Sequence, residues 1–409
     1  MKRSIPGAAA ALMVLVASTS AVVAQDIAYF TGATVIDGVM DRPISNATLV
    51  VRSGKIVRIQ TGPVEVPAGA AVVDLAGRYV IPGLIDAHVH INDVAAAERA
   101  LESGVTTARS MGVAHFADVG LRELARAGRI RAPEIVAAGY HVRPRPAEEL
   151  FQDAPELGDL YETPVRGAAA LERLVSVLVR HEVNVIKTNA TERAGLPQTD
   201  PRKPLFDQQE LEAIVRRALA AGLPVAAHAH GDTGGRAAVL AGVRSIEHGT
   251  YLSAETLALM AERGTYLVPT IAVVRDLTQP GGDYDSPVLE IRGRHMLPRI
   301  RQTAREAHRR GVRIVAATDT GYGPNSVLRL SHELIELVDI GLSPLDALRS
   351  ATTAAAELLG VDDHTGRIAA DFDADFIVLD RNPLDDIGAV QDALMVVSDG
   401  VIVVNRLDF

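Results

Sequence analysis

The chain has 409 residues, 48% of them hydrophobic, enough for a large core and more than one domain. A net charge of −10 argues against a nucleic-acid partner, because phosphate binding needs clustered Lys and Arg. With no cysteine, the sequence excludes disulfides, a thiolate-held zinc, a cysteine nucleophile and a lipid-anchored N-terminal cysteine.

In chain order, Met1-Lys2-Arg3 is a short basic segment and residues 8–17 an apolar one, with Val22 and Ala24 at the positions read by signal peptidase. This pattern predicts an export signal over residues 1–24, a periplasmic or secreted protein, and no membrane attachment after removal. The alternative is an uncleaved anchor, for which the apolar run is short. Residues 27–80 read as all-β, with β-branched runs at 34–38 and 47–51 and a hairpin turn at Ser53-Gly54-Lys55. The C-terminal end matches it, with a strand over 375–380 and a second hairpin around Ser398-Asp399-Gly400. A small β-sandwich domain built from both chain ends, 25–80 plus 365–409, is the expectation.

Between these ends, short apolar runs alternate with helical patterns such as 211–221, 254–263 and 300–310. The runs are 104–108, 134–138, 183–187, 225–228, 245–248, 266–270 and 313–318, and an eighth ends at His88-Val89-His90. Eight strand–helix units predict an α/β domain over 81–364, a (β/α)8 TIM barrel with its active site at the C-terminal ends of the strands. The competing open doubly wound sheet lacks its Gly-x-Gly-x-x-Gly turn.

The strand ends carry the chemistry. His88 and His90 share one face of the first strand, since side chains alternate. Lys187 ends the fourth strand, His228 and His230 the fifth, Glu247-His248 the sixth and Thr318-Asp319 the eighth. Singly, each has an ordinary explanation: a lysine keeps a strand end soluble, an aspartate caps a helix. Together they are metal-ligand types on one catalytic face. Neutral imidazoles and carboxylates suit zinc or a related divalent ion. A desolvated lysine can hold a neutral amine, and the amine can take up carbon dioxide to give a carbamate with one oxygen for each of two metals. A water between two such ions ionises near pH ~7 rather than ~16. Asp319 can ligate, take the proton of that water as general base and return it to the leaving group as acid.

These motifs resemble the amidohydrolase superfamily, and the resemblance spans nearly the whole chain after the signal. Val80-Ile81-Pro82-Gly83-Leu84-Ile85-Asp86-Ala87-His88-Val89-His90 is similar to its first-strand motif. His228-Ala229-His230-Gly231 and Ser245-Ile246-Glu247-His248-Gly249-Thr250 are similar to the branch holding imidazolonepropionase-like proteins and Xaa-Pro dipeptidases. The resemblance implies two divalent metal ions of zinc type: His88, His90 and Asp319 on the more buried one, His228 and His248 on the other, and Lys187 N-carboxylated as the bridge. It favours His228 over His230, which then faces substrate or plays a structural part. Lys187 sets the chain apart from mononuclear deaminases and imidazolonepropionase itself. The implied activity is hydrolysis of amide bonds of dipeptides or N-acyl amino acids, with lactone or ester hydrolysis by the same site as the alternative. A mononuclear cyclic-amide hydrolase and a non-catalytic barrel rank below both.

The pocket loops depart from the branch. Arg109-Ser110 stands where Arg-Asp is frequent, and Gly139-Tyr140-His141 where Gly-Gly-His is. His141 either bonds a substrate carbonyl or carboxylate or is a plain loop histidine. Arg143, Arg145 and Arg193 either bind a carboxylate bidentately or are solvated charges. Tyr251 either polarises a carbonyl or packs. A homo-oligomer is compatible with all of this.

Overall fold

A computed structural model describes residues 27–407, and the signal expected over 1–24 lies outside them. The N-terminal β region is β1 (Ile27–Val35), β2 (Ile44–Arg52), β3 (Lys55–Thr61), β4 (Ala71–Asp74) and β5 (Tyr79–Pro82). β2 and β3 form the expected hairpin, turning through Ser53 and Gly54 at φ 49° and 80°. Two successive left-handed residues match the right-handed twist of the strands, and glycine takes one at no steric cost.

The middle alternates as expected. β6 (Leu84–Val89), β7 (Val105–Ser110) and β8 (Glu134–Ala137) form one parallel sheet. β9 (Ile186–Asn189), β10 (Val225–Gly231), β11 (Ser245–Tyr251) and β12 (Tyr266–Val268) form another. Backbone bonds run between the two, from Asn184 N to Ala137 O (2.7 Å) and from Val142 N to Lys187 O (2.8 Å). The eighth run, 313–318, carries no ladder. It makes a single bridge at Ile314 to Leu267, and Thr320 makes another to Val89. Its backbone is shared out instead: Ala316 N donates to Ser350 O, and Asp319 N to His88 O (2.8 Å). The helix expected over 300–310 is the end of a longer one, Pro287–Arg309.

β13 (Phe376–Leu379), β14 (Ala393–Ser398) and β15 (Val401–Asn405) return to the first sheet. They join it through β5, with Ile377 opposite Ile81 antiparallel, giving the order β15-β14-β13-β5-β1-β2-β3 with β4 on β1. Both chain ends therefore share one eight-stranded sheet. Its core includes Leu49, Val80, Val397 and an edge-to-face pair of Phe30 and Phe376 (5.0 Å). Only Gly83 separates β5 from β6, so the sheet anchors the strand that carries His88. Gly83 N donates to Asp375 O, and a Cβ at Gly83 would lie 2.2 Å from Thr106 Oγ1.

The parallel strands bury both faces. Ile85, Ala87, Val185, Ala226, Val315 and Ala317 share an inner cluster, while Leu84, Val105 and Ile186 pack outward against helices. Period-two alternation from Val185, Ala226 and Ala317 places Lys187, His228 and Asp319 on that inner face. For β6 the same count would turn Val89 inward. A register shift between Asp86 and Val89 brings His88 in instead.

Asp375 joins the two regions. Its carboxylate accepts from Asp399 N (2.9 Å) and Thr365 Oγ1 (3.1 Å). Burial pushes its carboxyl up to about 7 from 3.8, with help from the charges of Asp399 and Asp373. The neutral acid is the form the fold favours. Its stabilising contribution is complete below pH 3.8 and lost as pH rises through about 7. Asp375→Asn should therefore raise the urea midpoint relative to the wild type at pH 8 and bring the two together near pH 4.

Candidate metal centre

The inner ends of β6, β9, β10 and β11 and the residues just past Thr318 converge. His88, His90 and Asp319 form one donor group and His228, His230 and His248 a second, with the ligand atoms of each within 4.8 Å of one another. Asp319 Oδ1 lies 3.4 Å from His88 Nε2 and 3.1 Å from His90 Nε2. The groups adjoin: His248 Nε2 is 4.0 Å from Asp319 Oδ2, and the His88 and His248 rings are 5.3 Å apart. Lys187 is 1% exposed, and its Nζ is 3.3 Å from His88 Nε2.

The anchoring of the rings leaves nitrogens open. His88 donates through Nδ1 to Glu247 Oε2 (2.9 Å) and His90 through Nδ1 to Gly112 O (2.8 Å). His230 and His248 bond through Nδ1 to Thr250 Oγ1 and Thr270 Oγ1, both at 2.8 Å. In these four, Nε2 is the nitrogen left for the centre, where His90 Nε2 meets Asp319 Oδ1 and His88 Nε2 meets Lys187 Nζ. His228 is the reverse: Nε2 donates to Glu192 O (3.2 Å), so Nδ1 is open. Such outer bonds fix both ring orientation and tautomer.

Electrostatics agrees with a cation site. Burial holds His88, His228 and His248 well below their ordinary values, aided by Lys187 for His88 and by neighbouring imidazoles for the other two. Burial takes His230 down to about 3. Imidazoles held neutral are the form that binds metal. Burial pushes Asp319 up, but His88, His90 and Lys187 outweigh it and leave a carboxylate below its usual range. Burial lowers Lys187 to about 8, toward the free amine. A donor set of neutral imidazoles, one carboxylate and one partly neutralised lysine fits divalent ions of zinc type.

Other expected site residues lie outside the two donor groups. His141 bonds Asn189 Oδ1 through Nδ1 (2.8 Å), with its ring 6.1 Å from that of His90. Arg193 is exposed and makes no guanidinium bond among the described residues, although its charge acts on Lys187 and His228. Tyr251 packs 6.2 Å from His295, with Arg202, Asp200 and Arg292 as its charged neighbours.

Other residues have parts that the sequence did not assign. Glu247 is fully buried; its carboxylate takes Arg109 Nη2 at 3.0 and 3.2 Å and Ser245 Oγ at 2.6 Å besides His88. Asp86 accepts from Thr318 N, Thr318 Oγ1 and Tyr322 OH, tying β6 to the residue before Asp319. Tyr284 donates to Asp319 O (2.8 Å) from between helices, where no local pattern marks it. Gly112, at φ 121°, leaves room for the His141 ring, which a Cβ would meet at 2.1 Å. For Glu247 alone there was a signal, its place beside His248 in a strand.

Comparison with known proteins decides the family. The amidohydrolase family matches residues 79–403. The chain belongs to it. This amidohydrolase is 27% identical to the ochratoxinase of Aspergillus niger over 390 residues, covering 86% of this chain and 80% of that one. It is 26% identical to an imidazolonepropionase of a Shewanella species over 384 residues, 82% of this chain and 87% of that one. A Xaa-Pro dipeptidase solved with methionine in its active site superposes with TM-score 0.81 at 28% identity, over 92% of this chain and 99% of that one. The architecture is thus the barrel type of amidohydrolases, and the protein is a metal-dependent hydrolase acting on carbon–nitrogen bonds.

Glu247 is the outer partner whose loss should be felt first. Glu247→Gln should weaken divalent-ion retention about 10–100-fold in a chelator competition assay.

Proposed function

We propose that this amidohydrolase is binuclear and hydrolyses amide bonds of dipeptides or N-acyl amino acids. One observation carries the proposal: Lys187 is buried with its Nζ 3.3 Å from His88 Nε2 and, among the described residues, with no carboxylate in ion-pair contact. A buried ammonium left this way is costly, whereas the amine can be carboxylated and become an anion facing two cations. In this reading His88, His90 and Asp319 would hold one ion and His228 and His248 the other, both Zn2+, and carboxylated Lys187 would serve both. His230, the third member of the second donor group, would face the substrate. Likeness to a Xaa-Pro dipeptidase and to ochratoxinase supports the substrate class.

The bound ions would supply an acidified water and polarise the scissile carbonyl. The chain's residues do the rest. Asp319, kept ionised by His88 and His90, accepts the proton of the attacking water and passes it to the leaving amine. Its backbone is held on both sides, by N–H donation to His88 O and by the Tyr284 hydroxyl on its carbonyl, which fixes the point from which the carboxylate projects.

The proposal extends to the whole chain: a closed (β/α)8 barrel over 81–364, a composite β-sandwich from 25–80 and 365–409, and export directed by residues 1–24. Among the described residues no helix is long and apolar enough to cross a membrane. Small-molecule substrates, no nucleic acid and a homo-oligomer complete it.

Lys187→Ala should lose most amide hydrolysis, and short-chain carboxylic acids should partly restore it; full activity in the variant rejects the bridge. Metal analysis of the purified wild type should approach about two divalent ions per chain. One ion with full activity rejects the binuclear reading.

A further inference from the structure

A cavity of about 220 Å³ lies where the terminal sheet meets the helices Val94–Glu102 and Leu330–Asp339. Arg99, Arg329 and Arg406 line it together with Glu102 and Ser331, and none of the metal-donor residues does. Three guanidiniums against one carboxylate leave an excess of two positive charges.

The three arginines are held in place but not neutralised. Arg99 Nε donates to Tyr322 O (2.6 Å), Arg329 Nη1 to Ser326 O (3.0 Å) and Leu328 O (2.6 Å), and Arg406 Nη1 to Ala393 O (2.9 Å). Every acceptor is a backbone carbonyl, and among the described residues no carboxylate pairs with any of the three. Glu102 is exposed and makes no ion pair among them. By contrast, Arg301 forks onto buried Glu336 at 2.7 and 2.8 Å. The carbonyl bonds leave the Nε–Nη2 edges of Arg329 and Arg406 and the two Nη groups of Arg99 without a protein partner among the described residues. Such edges are the faces of a guanidinium that take an oxyanion through two parallel bonds.

Ser331 adds a neutral donor that is also unmatched. It is 4% exposed, and among the described residues its hydroxyl has no hydrogen-bond partner. As the second residue of the helix Leu330–Asp339 it has no intrahelical partner for its N–H, which lies at the positive end of the helix dipole. A buried hydroxyl left unpaired is destabilising until a ligand or a water completes it.

We propose that this cavity binds a tetrahedral oxyanion, either inorganic phosphate or the phosphoryl group of a monoester, through Arg99, Arg329, Arg406 and Ser331. The donors come from three segments: the helix Val94–Glu102, the start of the helix Leu330–Asp339 and the residue after β15. That spread suits a tetrahedral group better than a planar carboxylate, and a dianion cancels the excess charge. The site does not depend on which reaction the metal centre performs.

The test is calorimetric titration and thermal unfolding of the purified holoenzyme with inorganic phosphate, against potassium chloride at matched ionic strength. The wild type should bind phosphate saturably and unfold about 2 °C or more higher in phosphate than in chloride. Arg406→Met and Ser331→Ala should each weaken phosphate binding about tenfold and lose most of that shift. Arg406 is exposed and the Ser331 hydroxyl is unpaired, so neither change removes a contact the fold needs. The phosphate-minus-chloride difference is read within each variant, so a small change in basal stability cancels. Wild-type affinity and shift in both variants would place the phosphate at the metal centre or trace the shift to general exclusion of the salt from the surface, and overturns the proposal. Absence of saturable binding by the wild type overturns it as well. Phenyl phosphate separates the two sources: binding as tight as that of inorganic phosphate, and equally lost in both variants, identifies a monoester, whereas a response to inorganic phosphate alone identifies the free anion.

Discussion

Glu247 carries the charge on which the floor of the centre depends. Among the described residues it is the one fully buried carboxylate that touches both a fixed cation, Arg109, and an imidazole of the donor set, His88. A buried ion pair broken at one side costs about 3–5 kcal/mol, so neither partner can be removed lightly. Arg109 also reaches Ala87 O and Ser245 Oγ, so one guanidinium ties β6 to β11 across the inner face. The tautomer of His88, the position of Lys187 next to it and the approach of Asp319 all follow from that tie.

A second constraint is backbone strain at the strand ends. His248, Thr270 and Asp319 sit at φ 72°, 52° and 57°, a region that non-glycine residues enter only when the surroundings hold them. Hydrogen bonds do the holding. Thr270 meets His248 Nδ1, and the helix beginning at Ile271 has its first N–H groups taken by buried Glu333. Asp319 is gripped through its own N–H and carbonyl. Strain at these positions turns side chains out of the strand direction and toward a common point, which regular strands cannot do.

Much of the architecture was legible because it is repetitive. Alternating apolar runs and helical periods mark out the seven parallel strands within a few residues, and both terminal hairpins announce themselves through glycine turns. The eighth segment is the exception. Its apolar composition is that of a strand, but its backbone bonds are divided among β6, β12 and the helix Pro344–Ser350, so only isolated bridges form. The long helix from Pro287 was underestimated because Pro298 interrupts its pattern, while packing of Met296 and Ile300 keeps it continuous.

The sequence by itself determined which chemistry is available: histidines, a lysine and an aspartate spaced at the ends of short apolar strands are local signals, readable from side-chain type and period. Tertiary structure decided how they are used. The shift in β6 that turns His88 inward and the choice of open nitrogen on His228 arise from contacts between segments far apart in the chain. Their physical basis is desolvation and the pairing, or not, of buried polar groups, and neither has a signature in the local order of residues.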